Sequence, residues 1–246
     1  MKIFNTFILF ATILLFAGSD LIAKKKKYNE NEINHSLSVN LLLGWPAYKF
    51  AENYNAEIVG GFDFDYTFTP VNFFNQLEIG GKFGYIYAGR STDYWTDVYV
   101  DTDNSFMHIA FLTRLRFAKG SDFEPFLEFS AGRNLSITET TYEIGDDFFF
   151  DDDDDDDEVT VKSFYDWSNY FSLGAGVKIN SFMMLKFTYN LSPVARYINQ
   201  DDVIVNGDYI EYESSISKVQ ILNISLGVNF SFFTSDFKDL EKLLDE

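Results

Sequence analysis

The chain has 246 residues, no cysteine and a formal net charge of -19. The length suits one domain. The missing cysteines exclude disulfides and thiolate metal sites, and the acidic excess argues against a nucleic-acid partner, because phosphate binding needs clustered Lys and Arg.

The chain opens on Met1-Lys2, an apolar run from Ile3 to Ala17, and then small residues. This order reads as a secretory signal peptide over residues 1–23, with cleavage after Ser19 or Ala23. The apolar run is short of the about 20 residues that a spanning helix needs. No Cys follows either site, so lipid attachment there is excluded. Residues 24–32, beginning with Lys24 to Lys27, form an N-terminal extension.

From residue 33 onward no run is apolar enough to span a membrane as a helix, yet 19% of the chain is aromatic. Alternation with period two accounts for both facts. Leu37, Val39, Leu41, Leu43 and Trp45 alternate with Ser36, Ser38, Asn40, Leu42 and Gly44. The same pattern recurs over Ala56–Phe68, Leu77–Tyr87, Phe106–Phe117, Phe123–Ile137, Tyr165–Ile179, Met183–Leu191 and Leu222–Phe232. Eight strands follow, each with one apolar face, and an even count lets an antiparallel sheet close without an edge. The predicted fold is all-β: an eight-stranded, up-and-down transmembrane β-barrel over residues 33–233. A soluble sandwich and a lipocalin-type barrel share the alternation, which does not say which face is outside.

The connections alternate in length. Thr69–Asn72, Lys119–Asp122 and Asn180–Ser181 are tight, whereas Pro46–Asn53, Gly89–Asn104, Thr138–Phe164 and Pro193–Ser217 are long. Short periplasmic turns and long extracellular loops are the pattern of outer-membrane barrels, and with eight strands both termini fall on the periplasmic side. Trp45, Tyr85, Tyr87, Tyr165, Trp167 and Tyr189 lie toward the loop end, and Tyr66, Phe68, Phe117, Phe123, Phe230 and Phe232 toward the turn end. Two such girdles suit two membrane interfaces.

In this pattern residues 33–233 resemble the OmpA-like and OmpX-like family of eight-stranded outer-membrane barrels. The resemblance implies a place in the bacterial outer membrane, surrounded by outer-membrane lipid and lipopolysaccharide. It also implies handling by the barrel-insertion machinery, which reads an aromatic residue at the end of the last strand, and Asn229-Phe230-Ser231-Phe232-Phe233 looks like that signal. Here 13 residues follow it, so the signal is internal. This tail, residues 234–246, sets Phe237, Leu240, Leu243 and Leu244 at helical spacing, as a periplasmic helix or a frayed end. It is too short for the peptidoglycan-binding domain of full-length OmpA-like proteins.

If the apolar face meets lipid, the inward charges are Glu57, Asp63, Asp65, Glu78 and Glu128 against Lys82, Arg114, Arg116, Lys178 and Lys186, with His108 beside them. Buried charges are tolerable only when paired, and eight strands enclose a space that side chains fill. A barrel plugged by ion pairs, without a wide pore, is expected; a small-conductance channel is the alternative.

The loop Thr138–Phe164 holds twelve acids against Lys162 alone. Seven of the acids are consecutive: Asp151, Asp152, Asp153, Asp154, Asp155, Asp156 and Asp157. Such a run reads as a self-repelling solvated loop, as a low-affinity Ca²⁺ site with hard carboxylate ligands, or, with Phe148–Phe150, as a surface for a basic or host-surface ligand. It lacks the ligand spacing and turn glycine of an EF-hand, so no metal site is defined and no cofactor is expected.

Some small outer-membrane barrels are lipid-modifying enzymes, and His108 with Ser130 and Glu128 has the composition of a hydrolase triad. No nucleophile, zinc or phosphate-loop motif supports it. The sequence therefore reads as a structural or surface-binding barrel without catalytic residues.

Overall fold

The computed structural model describes residues 33–53, 58–70, 76–95, 98–118, 121–144, 159–180, 182–206 and 209–233. They form eight strands: β1 (Asn34–Pro46), β2 (Val59–Thr69), β3 (Leu77–Trp95), β4 (Val98–Arg116), β5 (Phe123–Ile144), β6 (Val159–Ile179), β7 (Met183–Asn206) and β8 (Tyr209–Phe233). One short helix, α1 (Lys49–Asn53), follows β1. Each strand pairs antiparallel with the next, and β1 pairs with β8 from Asn34↔Phe233 to Pro46↔Ile221, which closes the sheet.

The alternation read from sequence sorts side chains between two faces. In β2 Asp63, Asp65 and Thr67 are buried while Phe64 and Tyr66 are exposed. The same parity runs around the barrel. Ile109, Phe111, Leu127, Phe129, Leu173, Phe187 and Leu226 point outward, and the buried set is rich in Asp, Glu, Lys, Arg, Asn, Ser and Thr. A water-soluble barrel would invert this, so the lipocalin-type alternative is excluded by which face lies inside.

Four segments read from sequence as long loops are built differently. β3 and β4 stay paired as far as Trp95↔Val98, β5 and β6 to Tyr142↔Val159, and β7 and β8 to Asn206↔Tyr209. These ribbons exceed the about 9–11 residues that cross a bilayer. They escaped the reading because a strand standing in water needs no apolar outer face, so its alternation fades while its backbone pairing continues. The first connection contains α1. At the turn end β6 and β7 are joined by residues 180–182 and β4 and β5 by 117–122, while β2 and β3 are joined by 70–76, longer than the expected turn at 69–72; Ala118 and Asn180 have positive φ.

One seam differs from the rest. The β6–β7 ladder stops at Phe171↔Leu191, although both strands continue upward. The β7–β8 register slips between Ser192 and Ala195, spanning Pro193. Proline has no N–H to give to a ladder and is confined to edges and bulges, which accounts for the end of pairing here.

Candidate functional site: the ion-paired barrel interior

β2, β3, β4, β5 and β7 each send charged side chains inward at neighbouring levels, and these meet across the lumen. Glu128 lies between Lys82 and Arg114, with Lys82 Nζ 2.5 Å from Oε1 and Arg114 Nη2 2.6 Å from Oε2. The same guanidinium reaches Asp65 Oδ2 at 3.0 Å and Glu78 Oε2 at 3.3 Å. Lys186 comes from the opposite wall to Asp65 at 2.9 Å and Asp63 at 3.3 Å. Asn40 Nδ2 donates to Asp63 at 2.5 Å and to Asp65 at 3.2 Å. Toward the turn end Arg116 forks between Glu78 and Glu124.

All of these groups are buried. Isolated charges could not remain in such a place, because desolvation costs several kcal/mol per ion unless geometry and hydrogen bonds compensate. Here most carboxylates bridge two or more cations, so the network is continuous rather than a set of separate pairs.

Among the described residues the buried acids are Asp63, Asp65, Glu78, Glu124 and Glu128, and the buried bases are Lys82, Arg114, Arg116, Lys178 and Lys186. The lumen is therefore neutral in formal charge, with His108 besides. Glu124 was absent from the sequence reading although it shares the parity of Glu128. Glu57 was included there and lies outside the described residues. Lys178 is brought to the level of Glu124 by strand register, but Arg116 takes that carboxylate. Lys178 Nζ instead donates to Ser231 Oγ at 3.3 Å.

His108 also stands apart from the ion pairs. Its ring stacks on Tyr170, with centroids 4.4 Å apart and planes inclined by 7°. Neither ring nitrogen has a hydrogen-bond partner, and neither does Ser130 Oγ. Glu128 is held by Lys82 and Arg114, so the three residues weighed as a hydrolase triad are not assembled into one. Tyr170 passes the layer on, its hydroxyl donating to Asn190 Oδ1 at 3.2 Å.

Inward glycines make room for this filling. A Cβ on Gly84 would stand 2.4 Å from His108 Nε2, one on Gly227 2.0 Å from Asn40 Oδ1, and one on Gly176 2.5 Å from Phe126 Cζ. The glycines on the polar face are thus opposite the large inward side chains, which is how a narrow barrel is packed solid.

Charged and hydrogen-bonded groups inside, with a belt of Leu, Ile and Phe outside, are stable only where the surroundings are hydrocarbon, and a closed barrel leaves no unpaired edge in that layer. The protein is a membrane-spanning β-barrel. Exposed Trp45, Tyr87, Tyr165 and Trp167 ring its loop end, and Tyr66, Phe117 and Phe123 its turn end, as expected at the two head-group layers.

No protein-family model matches the chain, and no curated protein matches it. Among solved structures it is similar to Neisserial surface protein A at 11% identity, covering 81% of this chain and 97% of that one, with a TM-score of 0.40. It is also similar to Ail, the attachment invasion locus protein of Yersinia pestis, at 13% identity, 81% and 99% coverage and a TM-score of 0.41. A major outer membrane protein of Thermus thermophilus gives 12%, 80% and 99%, and 0.41.

Outside the ion-paired zone, side chains rather than backbone stitch the upper β6–β7 seam. Ser168 Oγ and Ser192 Oγ are 2.6 Å apart, and Arg196 Nε donates to Asp166 Oδ2 at 2.6 Å. The same guanidinium lies 5.2 Å from the Phe164 ring centroid. Thr138, on the inner face of β5, donates to Asn104 Oδ1 at 2.5 Å, and its hydroxyl oxygen lies 3.5 Å from the Arg196 carbonyl of β7.

Proposed function

We propose that the protein is a closed surface scaffold: a barrel sealed by its own ion pairs, with no chemistry of its own, that holds acidic connections and rigid ribbons at the cell surface as an interaction face. The observation that carries this is the continuous network of Asp63, Asp65, Glu78, Lys82, Arg114, Arg116, Glu124, Glu128 and Lys186, whose single excess negative charge is balanced by the buried Lys178 beside it. Moving an ion past it means breaking charge-assisted bonds in a medium of low dielectric. Purified protein in planar bilayers is expected to show no stable, large conductance; a persistent wide-pore conductance would overturn the closed barrel.

In this reading the loop end faces the outside, and residues 1–23 direct export and are removed. Residues 24–32 and 234–246 flank the barrel on the periplasmic side. The connection 138–164, with its aspartate run 151–157 outside the described residues, carries twelve acids against one Lys in a chain of net charge -19; a strongly acidic face gathers divalent cations or a basic partner within about 8 Å at physiological salt. Protease added to intact cells is expected to cut between residues 138 and 164, and full protection there would reverse the topology. Calorimetry with Ca²⁺, on the folded protein and on a variant lacking residues 151–157, separates cation association from simple solvation: identical heats would remove the cation.

A further inference from the structure

Near its loop end the otherwise polar lumen turns apolar. Leu42, Val59, Ile86, Ala88, Phe106, Val219 and Ile221 form a buried cluster there, and its eighth member, Phe50, belongs not to the wall but to α1. Its ring is 1% exposed and meets Phe106 edge-on, with centroids 5.9 Å apart. Of residues 47–51 Phe50 alone is buried; Tyr48, Lys49 and Ala51 are exposed. A helix of five residues has no stability by itself, so its position is set by what it touches. The backbone offers Ala47 N–H to the Gln220 carbonyl at 2.8 Å. Between that tie and Phe50 lies Tyr48, at φ 54° and 70% exposed. A non-glycine residue in the left-handed region is strained, and here the strain turns the chain back over the mouth.

We propose that α1 is a hatch over the outer mouth, with Phe50 as its anchor in an apolar socket of the wall. While the ring is seated the upper lumen is shut. When it withdraws, Tyr48 relaxes, and the upper lumen becomes accessible from the loop side as far as the ion-paired layer. The wall supplies the socket because its inward apolar side chains at this height gather around the Phe50 ring, and buried apolar surface holds a short segment without directional contacts. The inference rests on the reading that the barrel is otherwise closed.

The absence of cysteine makes the test clean. Ala88 lies inside the lumen at this level and is 0% exposed, so A88C places one thiol behind the hatch. Detergent-folded A88C is treated with a water-soluble maleimide, and its folded state is checked by the mobility of the unheated band on a gel. Labelling is expected to be slow in A88C, at least tenfold faster in F50G/A88C, and within about threefold of A88C when Phe50→Leu keeps an apolar anchor. Equal rates in A88C and F50G/A88C would overturn the hatch. If F50G/A88C does not fold, Y48G/A88C decides: glycine takes φ 54° without strain, so slower labelling than in A88C supports the hatch, and unchanged or faster labelling overturns it. Planar-bilayer recording of the parent protein separates this proposal from the closed barrel on which it rests. A wide pore in the parent protein defeats the closed barrel and the hatch with it, whereas unaltered thiol access in F50G/A88C defeats the hatch alone.

Discussion

The His108 imidazole lies flat on the Tyr170 ring, 4.4 Å between centroids and 7° between planes, with no hydrogen bond to either ring nitrogen. The stack spans from β4 to β6, and the position opposite His108 on β3 is Gly84. A histidine used for its face rather than its nitrogens needs space along its Nε2–Cε1 edge, and the missing Cβ of Gly84 provides it.

Gly84→Ala is therefore expected to destabilise the barrel by about 1–3 kcal/mol, the usual cost of overpacking. Adding His108→Ala should recover much of that loss, since the added Cβ meets chiefly the imidazole. Urea unfolding in lipid vesicles measures the four corners of the cycle. Strict additivity would mean that the two positions do not share one space.

Glu128 holds Lys82 and Arg114 together, and its loss strands Lys82 more than Arg114, which keeps Asp65 and Glu78. Glu128→Ala should cost about 3–5 kcal/mol, the range for removing one partner of a buried pair. In Glu128→Ala with Lys82→Met the ammonium, left with only its 3.9 Å contacts to Asp63 and Asp65, is gone, and stability is expected to return part of the way. A double variant less stable than Glu128→Ala would show that Lys82 is satisfied without Glu128.

The outward apolar belt is tested by depth. Ile109, in mid-strand and 61% exposed, is expected to lose about 2–4 kcal/mol on substitution by Arg, while Phe123, at the turn-end rim and 63% exposed, should lose about 0–1 kcal/mol. Equal penalties in lipid vesicles would remove the membrane from the explanation of these side chains.

The Ser168–Ser192 contact at 2.6 Å spans a seam where the backbone ladder has ended. Replacing both by cysteine should give a disulfide in the folded protein on mild oxidation, because the two side-chain tips already stand 2.6 Å apart, near the ~2 Å of a sulfur–sulfur bond. The bridge should also slow unfolding of the β7–β8 ribbon. Failure to oxidise in the folded barrel would mean that the ribbons do not meet there.

Sequence by itself determined the number of strands, their parity and the tight turns, because period two in the side chains is a direct image of the pleat. It carried Glu124 as well: the parity that turns Glu128 inward turns Glu124 inward too, and only the starting point of the polar face was set too late. What the tertiary structure decided has no local signal. Lys82 meets Glu128 across 46 positions and Lys186 meets Asp65 across 121, since the stagger of a closed sheet brings distant residues to one level. Alternation alone did not say which face meets lipid, because it is symmetric until the barrel closes; only the short and long connections spoke for an apolar exterior. The ribbons above the belt were hidden because pairing there is carried by backbone bonds, which leave no hydropathy pattern. Phe50 is the last such case: a loop residue without period or motif, whose role is set only by the apolar socket that the folded wall presents to it.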